Sequence, residues 1–62
     1  MEWMKSFELV RRGIYFTLRQ HLPDLSDQEL WKLVDEIIRE AKSFEDLMPL
    51  TYQKIQQRGG KP

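Results

Sequence analysis

From Trp3 to Leu18 the apolar residues Trp3, Phe7, Val10, Ile14 and Leu18 recur at spacings of three and four. That is the period of a helix with one face turned to a core. Pro23 ends the pattern, because proline has no N–H to donate and disfavours helical backbone in the residue before it. The first helix is therefore expected over residues 2–22. His21 falls in its last turn, where a partial positive charge suits the helix dipole.

The second helix is announced by its start. Leu25-Ser26-Asp27-Gln28-Glu29-Leu30 combines a capping box with a hydrophobic staple. Ser26 would accept from the amide of Glu29, Glu29 would reach back, and Leu25 would pack on Leu30. The helix should run to Lys42 with Leu30, Leu33, Val34, Ile37 and Ala41 inward. Asp35 and Arg39 are spaced to pair on its solvent side. Ser43 followed by Glu45 and Asp46 reads as a further N-cap. Apolar period then persists through Pro49 to Ile55. Either one helix bends at Pro49, or a short turn ends near Met48 and a last helix begins at Pro49. The second reading is preferred, since proline is at home in a first turn. Arg58-Gly59-Gly60 supplies the stop.

These elements predict an all-α fold, a small three-helix bundle whose last helix is short or kinked at Pro49. One domain covers 1–58, with a flexible tail at 59–62. The predicted core is Phe7, Val10, Ile14, Leu18, Leu30, Val34, Ile37, Leu47 and Ile55. A chain of 62 residues with no cysteine must stabilise itself by helix packing or by oligomerisation, because small domains bury too little surface to be generously stable.

Two pairs of apolar residues exceed what that core needs. Leu9 and Phe16, seven apart, fall opposite the inward face of the first helix. Trp31 and Ile38, also seven apart, widen the apolar stripe of the second to roughly 160°, against the 100° or so that a core-facing helix requires. Lys5, Arg12 and Arg19 run as a basic line beside Leu9 and Phe16. Gly13, mid-helix, marks either close approach of another backbone or a tolerated neutral residue.

Charge is segregated although the formal net charge is zero. Residues 1–22 carry four cations and two anions, residues 23–48 three cations and eight anions, and residues 49–62 three cations and no anion, so +2, −5 and +3 sum to zero. This suits association between copies, the acidic middle of one facing the basic line of another, better than general attraction to nucleic acid.

Catalysis has little support. His21 has no cysteine to activate, and Ser26, Ser43, Asp24 and Asp27 are explained by helix starts and turns. A single histidine without cysteine makes a structural zinc site untenable. The acids of the Asp24–Glu29 loop lack the length and central glycine of a calcium-binding loop. Gly59-Gly60 has no strand before it and no helix after it to make a phosphate loop. No motif is diagnostic of a family, and no cofactor is expected.

The sequence thus points to a non-enzymatic protein–protein interaction or regulatory module, a homodimer, with Leu9, Phe16, Lys5, Arg12, Arg19, Trp31 and Ile38 as its partner-binding residues. A nucleic-acid-binding regulator using the Lys5/Arg12/Arg19 line and the basic C-terminal tail is the second reading. No apolar run is long enough to span a membrane. The start Met-Glu-Trp-Met-Lys lacks the features of a secretory signal, and absent cysteine fits a reducing compartment. The expected location is cytoplasmic.

Overall fold

The computed structural model describes residues 2–59, with side chains described from Phe7 onward. Its elements are α1 (Glu2–His21), α2 (Asp27–Glu40), a single 3-10 turn (Phe44–Asp46) and α3 (Leu47–Gln57). Each helix contacts the other two, so the described residues form a three-helix bundle of 36 × 20 × 16 Å. At 1.5 Å per residue, α1 is about 30 Å long and α2 about 21 Å, so α1 sets the long dimension.

The loop from α1 to α2 forms as its residues dictate. The Leu25 amide closes a turn on the Leu22 carbonyl at 3.3 Å. The Ser26 hydroxyl accepts from the Glu29 amide at 3.3 Å. Among the described residues no bond returns from the Glu29 carboxylate, so only half of the expected capping box is made. Asp27 and Glu29 lie in the first turn of α2 and Arg39 in its last, the polarity that favours a helix dipole.

α2 stops at Glu40 rather than Lys42, because Ala41 takes extended backbone as the C-cap. The next cap also differs from expectation. The Ser43 side chain caps nothing; instead the Asp46 carboxylate accepts from the Lys42 amide at 3.2 Å. α3 begins at Leu47, two residues before the expected start, and Pro49 sits inside its first turn. The first four amides of a helix have no intrahelical acceptor, so the missing N–H of Pro49 removes nothing and no kink is needed. Gly59 ends the helix with φ +72°, the left-handed conformation in which a Cβ would be strained. Gly60 lies outside the described residues.

The core consists of Ile14, Tyr15, Leu18 and Leu22 from α1, Leu30, Leu33, Val34 and Ile37 from α2, and Leu47 and Ile55 from α3. Thr51 is fully buried among them and its hydroxyl donates to the Leu47 carbonyl at 2.7 Å, which satisfies the one polar side chain in the centre. Two predicted core residues are more peripheral than expected. Val10 is half-buried against the core, and Phe7 is half-buried beside a shallow cleft with Ile38 and Phe44. Tyr15 and Leu22 take the room instead, because α1 must face two neighbours, and Tyr15, Leu18 and Leu22 share the side toward α2.

Ile37 has no exposed surface. Ile37→Ala is expected to lower unfolding free energy by about 2–5 kcal/mol, read from a urea or thermal transition. A variant that melts within a few degrees of the parent would show that the inward face of α2 is assigned wrongly. Ser26→Ala, which removes the cap, should lose roughly 0.5–2 kcal/mol.

Candidate partner interface

The rotation of α1 about its own axis decides which of its residues face outward. Three contacts fix its α2 side. The Tyr15 ring stacks on Trp31 with centroids 4.4 Å apart and planes 15° from parallel. The Tyr15 hydroxyl donates to Asp27 Oδ1 at the start of α2. Arg11 lies over the Trp31 ring at 5.4 Å and pairs with Asp35 at 3.2 Å and Glu8 at 3.4 Å. Asp35 therefore pairs across helices with Arg11 and not with Arg39 along its own helix. On the other side of α1, the edge of His21 meets the Tyr52 ring of α3, centroids 6.0 Å apart, while its Nδ1 lies 2.9 Å from the Thr17 carbonyl.

With those two sides occupied, Leu9 and Phe16 project from the third. Leu9 is 70% exposed and Phe16 57%. Arg12 and Arg19 are exposed beside them, and neither belongs to an ion pair among the described residues. Lys5, the remaining member of the basic line, lies outside the described side chains. The expected cluster of Leu9, Phe16, Arg12 and Arg19 is thus brought onto one open face.

Trp31 and Ile38 require a correction. They are not surplus to the bundle. Both are half-buried and packed against the core, because Tyr15 comes to meet Trp31 and because α1 and the turn after α2 flank Ile38. Ile38 also lines a shallow cleft with Phe7, Ala41, Phe44 and Leu47. The wide stripe on α2 serves two neighbours within the chain. Trp31 is nonetheless linked to the open face, since Phe16 meets the Tyr15 ring edge-on at 5.8 Å. Tyr15 was the residue that sequence reasoning missed. Its signal was the spacing Tyr15–Leu18–Leu22, a second inward row beside Ile14 and Leu18.

Gly13 is settled in part. A Cβ built there meets no atom within 4 Å among the described residues, so no described backbone of another element approaches it. The basic tail is less free than its composition suggests. Lys54 donates to Glu40 at 2.8 Å, and Arg58 borders an open cleft with Glu29 and Glu36. Among the described residues no three His, Cys, Asp or Glu side chains converge as metal ligands would. No described helix is long and apolar enough to cross a membrane. No family model, no curated protein and no solved structure matches the chain.

The Tyr15 hydroxyl is held above the ordinary tyrosine pKa. The hydrogen bond to Asp27 is the main cause, burial and the Asp27 charge add to it, and Arg19 opposes it. A raised folded-state value means that the fold favours the protonated phenol. That stabilisation is complete below the unfolded tyrosine value and is lost as pH rises through the folded one. Stability should therefore fall above about pH 10, and Tyr15→Phe should remove that part of the alkaline loss. Denaturant midpoints measured from pH 8 to 11 would check it. An identical alkaline slope in both proteins would deny Tyr15 this role.

Proposed function

We propose that the protein is a small non-enzymatic interaction module that associates with itself through the outer face of α1. The observation that carries this reading is the exposure of Leu9 and Phe16 on the side of α1 that neither α2 nor α3 covers. Two large apolar side chains flanked by arginines make the residue chemistry that is enriched where interfaces concentrate their binding energy. Self-association also answers the stability problem of a short chain without disulfides. A reducing, cytoplasmic setting fits the absence of cysteine.

Nucleic-acid binding is the weaker reading. It would draw on Lys54 and Arg58 in addition to the α1 line, and Lys54 is already held by Glu40. On α1 itself the exposed cations Arg12 and Arg19 have Phe16 between them.

Sedimentation equilibrium over about a hundredfold concentration range tests the proposal, because mass action makes association concentration-dependent. The parent should rise from monomer toward dimer mass. The double change Leu9→Lys, Phe16→Glu should remain monomeric and helical, or unfold if folding depends on the dimer. A parent that stays monomeric throughout would overturn self-association. A salt-sensitive gel shift with duplex DNA or RNA, with no change in mass on concentration, would favour the nucleic-acid reading instead.

A further inference from the structure

Arg12, Phe16 and Arg19 stand four and three residues apart along α1, and all are exposed. Neither arginine belongs to an ion pair among the described residues. Their own helix cannot supply the missing acids, because Glu8, the one acid among the described side chains of α1, is held by Arg11. Elsewhere Asp27 accepts from Tyr15, Asp35 pairs with Arg11, Asp46 accepts from the Lys42 amide and Glu40 pairs with Lys54. That leaves Asp24, Glu29, Glu36 and Glu45 outside any ion pair or side-chain hydrogen bond of their carboxylates among the described residues. Only Glu29 and Glu36 share a helix. They are seven apart on α2, the same interval as Arg12 and Arg19, about 10 Å along either axis.

Glu29, Leu33 and Glu36 repeat the spacing of four and three. They line an open cleft of about 310 Å³ between α2 and α3, with Lys32 and Arg58 completing its rim. Leu33 is buried and gives the cleft an apolar floor. No described residue of α1 lines it. Because each helix contacts the other two, this cleft lies across the bundle from the open side of α1.

We propose that copies of the chain dock head to tail, Phe16 of one entering the Glu29–Glu36 cleft of the next while Arg12 and Arg19 meet the two glutamates. The inference rests on the self-association reading and names the surface that receives the α1 face. The cleft holds more space than a benzene ring needs. Lys32 and Arg58 make its rim neutral as a whole, so the match is one of position. Neither is in an ion pair, and Arg58 also borders the cleft of Asp24 at the end of the bundle. Both can lie over the entering Phe16 ring, whose face attracts cations. A twofold contact of the α1 face with itself offers Arg12 and Arg19 no free acid. Since the two surfaces lie on opposite sides, a pair of copies cannot make both contacts reciprocally. Association is therefore heterologous and continues past the dimer, as a ring or an open chain.

Two blocked variants of the whole chain test the proposal by sedimentation equilibrium. Glu29→Lys with Glu36→Lys spoils the cleft and leaves the α1 face intact. Leu9→Lys with Phe16→Glu does the reverse. Each alone should associate at least about tenfold more weakly than the parent. An equimolar mixture should give a 1:1 species of dimer mass and nothing larger, because one intact α1 face and one intact cleft remain. If either variant is unfolded alone, mixing should restore its helical circular dichroism. The milder Glu29→Gln with Glu36→Gln, which keeps size and helix propensity, should also weaken association. Glu45→Lys, in the 3-10 turn outside both surfaces, should leave the constant within about threefold. The parent should pass beyond dimer mass on concentration and weaken between about 0.05 and 0.5 M salt, since exposed pairs are screened. A parent that stops at the dimer or ignores salt, a cleft variant that associates like the parent, or a mixture with no 1:1 species would overturn the head-to-tail contact while leaving self-association standing. A parent that is monomeric at every concentration would overturn both.

Discussion

The contact between Tyr15 and Trp31 sets the rotation and register of α1 against α2, and most of what lies outside the bundle follows from that. The stacked rings fix the two helices face to face. The phenol hydroxyl, bonded to Asp27, ties the last turns of α1 to the first turn of α2. Arg11 adds a third point one turn away by covering the Trp31 ring and pairing with Asp35. Once α1 is turned so that Tyr15, Leu18 and Leu22 face inward, Leu9 and Phe16 have no course but outward. Their exposure is a consequence of where the core residues sit.

The fold spends its polar groups locally. Thr51 is satisfied by its own helix, Ser26 and Asp46 serve turns, and Arg11 and Lys54 hold acids on α2. Such surface pairs each add little to stability, typically under about 1 kcal/mol. Their larger effect is on what is left over. With Lys54, Asp35, Asp27 and Glu40 engaged inside the chain, Arg12 and Arg19 are left outside any ion pair among the described residues, beside the exposed Leu9 and Phe16.

The apolar period was sufficient to foresee three helices, the stop at Pro23, the cap at Ser26 and the inward residues Ile14, Leu18, Leu30, Val34, Ile37, Leu47 and Ile55. These are local matters. A proline has no N–H wherever it stands, and residues three or four apart share a helix face in any surroundings. Leu9 and Phe16 were legible for the same reason, since they lie opposite the apolar stripe of their own helix.

Whether an apolar residue on the border of a stripe is covered could be decided only by its neighbours. Trp31 and Ile38 read as excess along α2, yet Trp31 is taken up by a tyrosine sixteen positions earlier in sequence, and Ile38 by the turn that follows its helix. Asp35 was equally suited to Arg39 by spacing, and the approach of α1 gave it Arg11. The segregation of charge was plain in the sequence, but which charges are taken up within the chain was not, since Arg11 meets Asp35 and Lys54 meets Glu40 only once the helices pack. Local chemistry determined the helices and their inward faces. Only their packing determined the surface left between them.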